Sequence, residues 1–253
     1  MKLVLVIHGS ARRANTYRIT ELAKQEIASG GGVEFTDVFL HELKLPFCLG
    51  CINCVNKGEN LCSHKEIIQT LAQQIEEADA LILTSPTYIL TLNAEVKNLL
   101  DHYAYLFHRP RYFRKKALVI SSTAGAGAGS TCKFMSRTLQ AWGMNKVHKL
   151  PIVCMDDVFH ETPARLEKIR KASAAFRKDL LSEKLHHPTW FQLSLYTAMR
   201  SNATLGAGKQ SADYLYWSEQ KRLKTVYPTP AGIGRHLFAR AVFALMNLMF
   251  RKL

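Results

Sequence analysis

The chain has 253 residues, 47% of them apolar and 21% charged, with only 14 Gly and 8 Pro. A disordered, collagenous or low-complexity protein is excluded, and the length suits one large domain or a medium domain with an extension. Thirty-four basic against twenty acidic residues leave a net charge of +14, which calls for an anionic partner, a membrane surface or no more than a basic exterior.

The opening MKLVLVIHGS has an apolar run of five residues before His8. That is too short for a signal-peptide core and reads as a buried parallel strand, Leu3 to Ile7. Asn15 or Thr16 caps a helix to about Ser29, and Gly30 to Gly32 stop it. Val33 to Leu40 alternates as a second strand. After a cysteine-bearing loop, Ile67, Leu71 and Ile75 fall at helical spacing, closed by Glu76, Glu77 and Asp79. Ala80 to Thr84 is a third strand ended by Ser85-Pro86, and Glu95 to about Tyr105 is a helix. Ala117 to Ser121 is a fourth strand that runs into TAGAGAGST. A helix from about Ser130 to Trp142 leads to a fifth strand, Val147 to Val153. Leu166, Ile169, Ala172, Phe176 and Leu180 then make one apolar helix face.

Strands alternating with helices predict an α/β fold, a doubly wound, five-stranded parallel sheet in the order 2-1-3-4-5 over residues 1–182. Such a sheet has its ligand crevice at the carboxyl ends of strands one and three. Three segments border it: Gly9 to Thr16, Ser85 to Asn93 and Thr123 to Ser130. Residues 183–253 read as a basic helical C-terminal extension, with ten basic and three acidic residues and no alternating strands.

In the first segment, HGSARRANT, the start of a helix exposes unpaired N–H groups and a partial positive charge, so an anion such as phosphate belongs there. Ser10, Asn15 and Thr16 add neutral donors, and Arg12 or Arg13 adds charge. A solvated helix cap is the plainer alternative. In the second, Pro86 stiffens the turn, and Thr87 and Tyr88 sit at the crevice mouth, where a flat ring could lie against Tyr88. The third segment brings Gly125, Gly127 and Gly129, which permit close backbone approach.

GSARRANT, SPTYILTLNAEVKNLLDH and FCLGCINCVNKGENLC together resemble the flavodoxin-like NAD(P)H-dependent FMN reductases, a family that includes the iron–sulfur flavoproteins. The resemblance covers about residues 1–155. It implies a flavodoxin-like fold in which Ser10, Arg12, Asn15 and Thr16 bind the FMN phosphate, with Ala11 in place of the usual proline. It implies that Pro86, Thr87 and Tyr88 lie beside the isoalloxazine, and that Thr123, Ala124 and Gly125 border the ring's other edge. Lys97 and Asp101 match a later family pattern, whereas His102 stands where the family has arginine. The implied activity is hydride transfer from NAD(P)H to FMN and on to an acceptor. The flavin carries the chemistry, so no side chain is assigned as catalytic.

Cys48, Cys51, Cys54 and Cys62 read C-x2-C-x2-C-x7-C. Thiolates at steps of three can converge on one [4Fe-4S] cluster that a fourth completes; another metal, or redox or structural thiols, remain open. The last gap is longer than is usual in the iron–sulfur flavoproteins, and Gly50 matches related reductases. Cys132 and Cys154 read as buried apolar residues. The chain's location is expected to be cytoplasmic, with thiols reduced.

Arg109, Arg111, Arg114, Lys115 and Lys116 crowd eight residues, with Tyr112 and Phe113 between. They read as a solvated loop, or as a site for a 2′-phosphate or another anion; nucleic acid is not the expected partner. His108, His186 and His187 look like surface residues. The final helix puts Leu237, Phe238, Val242, Leu245, Met246 and Met249 largely on one side, flanked by Arg235, Arg240, Arg251 and Lys252. That side packs on its own domain or on a second copy in a homo-oligomer, or else makes peripheral membrane contact. The leading expectation is an FMN-dependent NAD(P)H oxidoreductase acting on a quinone, flavin or similar small-molecule acceptor. The alternatives are an iron–sulfur electron carrier serving a redox protein, and a basic anion- or membrane-binding module.

Overall fold

The computed structural model describes residues 1–155, 158–205, 210–219 and 226–250. Alternation between apolar strands and amphipathic helices produces β1 (Lys2–His8), α1 (Asn15–Ala28), β2 (Val33–Phe39), the one-turn α2 (Asn53–Asn56) and α3 (Lys65–Glu77). There follow β3 (Ala80–Tyr88), β4 (Thr91–Leu92), α4 (Ala94–His102), α5 (Ala104–His108), β5 (Lys116–Thr123), α6 (Ala128–Ala141) and β6 (Lys146–Val153). The remaining helices are α7 (Pro163–Leu180), α8 (Trp190–Leu205), α9 (Ala212–Ser218) and α10 (Ile233–Phe250).

The parallel order is β2-β1-β3-β5-β6, with β4 folded back antiparallel on β3. This is the expected doubly wound order plus one short sixth strand. Both faces of the sheet are covered, which is why β1 is apolar from Leu3 to Ile7 rather than alternating. Val4 and Val6 pack with Ile19, Ile27, Leu118 and Phe176 on one side. Leu5 and Ile7 pack with Leu71, Leu83, Val119 and Leu139 on the other.

Several boundaries differ from expectation. Ser85-Pro86 does not end β3, which continues to Tyr88. Pairing with β1 stops at Thr84, so Pro86 has β5 as its parallel neighbour and its missing N–H interrupts no bond to β1. Ala14, not Asn15 or Thr16, is the cap position of α1, and it supplies no side-chain cap. Gly129 and Ser130 lie inside α6. The helix expected to run to Tyr105 breaks at Tyr103.

The extension forms a third apolar cluster from Leu193, Tyr196, Trp217, Tyr227 and Ala239, with Phe113 packed against it. The apolar residues of α10 divide between two faces: Phe238, Val242 and Met246 are half-buried, whereas Leu237, Leu245 and Met249 are exposed. Arg251 and Lys252 lie outside the described residues. No helix among the described residues is long and apolar enough to cross a membrane.

Candidate functional site

The turns leaving β1, β3 and β5 enclose a solvent-open cavity with about 840 Å³ of empty space. Its lining is Ser10, Arg12, Ala14, Asn15 and Thr16 from the first turn, Pro86, Thr87 and Tyr88 from the second, and Ser122, Thr123 and Ala124 from the third. Of the expected cofactor residues, Gly125 stands outside this lining, on an exposed stretch of the same turn. Ala14 and Ser122 were not anticipated; their position at the carboxyl end of a buried strand or the start of the next helix was the available signal.

Backbone and buried hydroxyls set the geometry. Gly9 N–H donates to the Thr84 carbonyl at 3.0 Å. A Cβ on Gly9 would collide with that carbonyl and with Val96, so the turn requires glycine. Asn93, which sequence reasoning missed, donates its amide to Gly9 O and accepts from Ser85 Oγ at 3.0 Å, tying the first turn to β3. Ser10 Oγ accepts from the Arg12 N–H at 3.2 Å, which curls the turn. Thr16 and Ser122 share a hydrogen bond of 2.6 Å across the cavity floor. Thr87 turns its hydroxyl inward, to Ser121 at 2.8 Å and Thr131 at 3.0 Å, so it supports the wall rather than standing at the mouth. Tyr88 is half exposed, and Arg12 Nη2 reaches its hydroxyl at 3.5 Å.

This wall fits an FMN. The amino end of α1 has neither a side-chain cap nor an acid in its first turn, and Ala14 opens it to the cavity. The N–H groups there, two hydroxyls and one guanidinium make a donor set for a phosphate. Tyr88 and the Pro86 ring offer flat apolar surface beyond it.

A second recess, about 340 Å³ of empty space, is lined by Cys48, Cys51, Cys54 and Cys62 together with Leu49, Ile52, Ser63, His64 and His102. All four cysteines are free thiols. Their loop has almost no regular structure and contains Ile52 at φ 59°, a left-handed conformation costly for a β-branched residue. Helix α4 supports it from below. Asn98 accepts the Cys48 N–H at 2.9 Å and donates to Pro46 O at 3.0 Å. One turn on, His102 lies with Nε2 3.0 Å from Pro46 O and Nδ1 4.0 Å from Cys62 Sγ. The His64 N–H also points at Cys62 Sγ, at 3.4 Å. Burial pushes the Cys54 thiol up, and the neighbouring Cys62, Cys48 and Cys51 add to that. Four sulfur donors line one recess, a set that fits a cluster, whose iron cations would offset the charge of the ligating thiolates. Asn98 and His102 were missed as supports, although their spacing of four on one helix was legible. Cys132 and Cys154 are buried, as expected, and burial pushes Cys132 up to about 12.

The basic stretch is not a solvated loop. Arg109, Tyr112 and Lys116 are buried. Arg109 donates to Cys54 O, to Val55 O at 2.8 Å and to Glu59 at 3.1 Å, and it pairs with Asp213. Arg111 pairs with Glu59 at 2.7 Å. Lys116 opens β5, whereas the cavity lies at that strand's far end, about 23 Å away at strand rise. These cations therefore do not serve an anion in the cavity. His108 and His186 are not bare surface residues either: they bond Asp213 at 2.8 Å and Asp179 at 2.9 Å. The exposed His187 bonds Pro230 O at 2.7 Å.

A family model described as NADPH-dependent FMN reductase matches residues 1–156. The chain is 28% identical over 229 residues to an iron-sulfur flavoprotein of Archaeoglobus fulgidus, covering 87% of this chain and 99% of that one. It is similar to a solved oxidoreductase from Corynebacterium diphtheriae, at 12% identity and a TM-score of 0.53, covering 72% of this chain and 97% of that one. It is also similar to an apo NADH:FMN oxidoreductase, at 17% identity and a TM-score of 0.51, covering 75% and 97%. At these identities the two structures share the fold with this chain.

Proposed function

The chain belongs to the NADPH-dependent FMN reductase family and is an NAD(P)H-dependent FMN oxidoreductase; from that premise we propose that the cavity at the ends of β1, β3 and β5 holds the FMN. Bound there, it would supply the chemistry of hydride transfer from NAD(P)H to a quinone, a flavin or a similar acceptor. The chain's own part is placement. The amino end of α1, Ser10 and Thr16 grip the phosphate, and Arg12 adds its charge. Pro86 and Tyr88 would lie beside the ring, with Thr123 and Ala124 bordering its other edge. No side chain moves a proton in this scheme. The carrying observation is the convergence of three turns and one uncapped helix start on a single cavity.

Purified protein should show oxidised-flavin absorption bands and bleach on anaerobic addition of NADH or NADPH. A colourless protein that takes up no added FMN would overturn the reading, leaving the basic binding module as the alternative.

A second reading is favoured by the four cysteines that share one recess, alongside the full-length similarity to an iron-sulfur flavoprotein. In it, Cys48, Cys51, Cys54 and Cys62 would hold a [4Fe-4S] cluster, which would supply one-electron transfer to a redox protein. Anaerobic preparations should then contain iron and acid-labile sulfide. Cys51→Ser should lose both along with the broad visible shoulder, and keep the flavin bands. An unchanged spectrum removes the cluster.

A further inference from the structure

The cysteine loop has little regular structure of its own. Between Pro46 and His64 its regular structure is α2, of four residues, and a three-residue 3-10 turn at Glu59–Leu61. Several of its apolar side chains, Phe47, Leu49 and Ile52 among them, face solvent rather than a core. What reaches into the middle of the loop is Arg109. One guanidinium, 2% exposed, binds the carbonyls of Cys54 at 2.5 Å and Val55 at 2.8 Å and the carboxylate of Glu59 at 3.1 Å. It is also paired with Asp213, which belongs to the extension.

Asp213 is itself anchored. It is buried, and its second oxygen takes His108 Nδ1 at 2.8 Å. It sits in the first turn of α9, where Ser211 Oγ caps the Tyr214 N–H at 3.1 Å. Trp217, fully buried in the third apolar cluster, fastens the same helix to the His108 carbonyl at 3.0 Å. A buried cation keeps its place only while its counter-charges do. Without Asp213, Arg109 keeps Glu59 as its remaining counter-charge, and a shift toward that more exposed carboxylate would release both carbonyls beside Cys54.

We infer that the C-terminal extension holds the cysteine loop in ligating shape, with Arg109 as the positioning residue and Asp213 as its anchor. This rests on the cluster reading for what the loop ligates. Groups behind the ligands of a metal site commonly change its retention 10–100-fold.

The test uses the full chain, reconstituted anaerobically with ferrous iron and sulfide. Asp213→Asn and, at the loop's side of the strut, Glu59→Gln are compared with the native protein. Iron release to a chelator should accelerate about tenfold or more in Asp213→Asn, with FMN content unchanged. In cluster-free protein, alkylation of Cys54 should accelerate by a similar factor while Cys132 and Cys154 stay protected. Native release rates and native thiol reactivity in Asp213→Asn overturn the inference. Exposure of Cys132 together with loss of FMN also overturns it, because Asp213 would then serve the whole fold. If the native chain takes up no iron, the cluster reading fails on its own, and the alkylation pattern still decides the strut.

Discussion

The cavity at the strand ends is framed by turns that leave three neighbouring strands of one sheet. Its shape is fixed by the Gly9–Thr84 backbone bond and by hydroxyl pairs buried behind its surface. The cysteine recess has no such frame. Its loop is propped from one side by Asn98 and His102 on α4, and from the other by Arg109 and the extension. A site built on strand ends tolerates the loss of single side chains and suffers from backbone change. A site built on props depends on individual side chains that touch no ligand.

The largest expected effect is on the rigid side of that contrast. Gly9→Ala should cost about 3 kcal/mol, the upper range for forcing a methyl into packed backbone. It should also empty the cavity, read as a fall in melting temperature and loss of flavin absorbance. If flavin binding survives, the cavity is less rigid than its frame implies. Next comes Asn98→Ala, which leaves the Cys48 N–H and the Leu45 carbonyl without their partner, while Pro46 O keeps His102. A destabilisation of about 2 kcal/mol is expected from the two part-buried groups left unpaired, with cluster retention lowered and flavin affinity unchanged. Thr16→Val removes a single hydroxyl from the cavity floor and should weaken FMN about tenfold, about 1.4 kcal/mol by titration. An equal loss from Asn98→Ala and Thr16→Val in both cofactors would erase the distinction between the two regions.

Acidification should be the mildest perturbation and should spare both regions. Burial pushes His148 below its usual value despite the Asp179 carboxylate, to which its neutral imidazole donates at 2.8 Å. Asp179 is lowered as well: burial opposes this, but hydrogen bonds from His186 and His148 prevail. Both groups bind protons less readily folded than unfolded. Their stabilisation is therefore present above the unfolded pKa and lost as pH falls, from about 6.5 for His148 and about 3.9 for Asp179. Melting temperature should drop between pH 8 and pH 5, more shallowly in His148→Gln, with the flavin spectrum unchanged.

Much of this was legible in the chain. Apolar runs and helix periods marked the strands that bear the cavity, and their order located it. What escaped were features set by distant partners. Five cations in eight residues look solvated when judged by their neighbours, yet the carboxylates that bury Arg109 lie in segments 50 and 104 residues away. His102 looked like a departure from a pattern until α4 placed it beside Cys62. The return of β4 on β3 was hidden because Ile89 and Leu90 both adopt positive φ, at 47° and 63°, in a turn that lacks the usual glycine or asparagine.

The separation between Arg109 and Asp213 also has a consequence in time. Asp213 is synthesised 104 residues after its partner. At about 5–20 residues per second, Arg109 spends about 5–20 s without its latch. The sheet and the cavity at its strand ends can close during translation, whereas the cysteine loop gains its latch only after Asp213 has emerged, so the two sites would form in a fixed sequence.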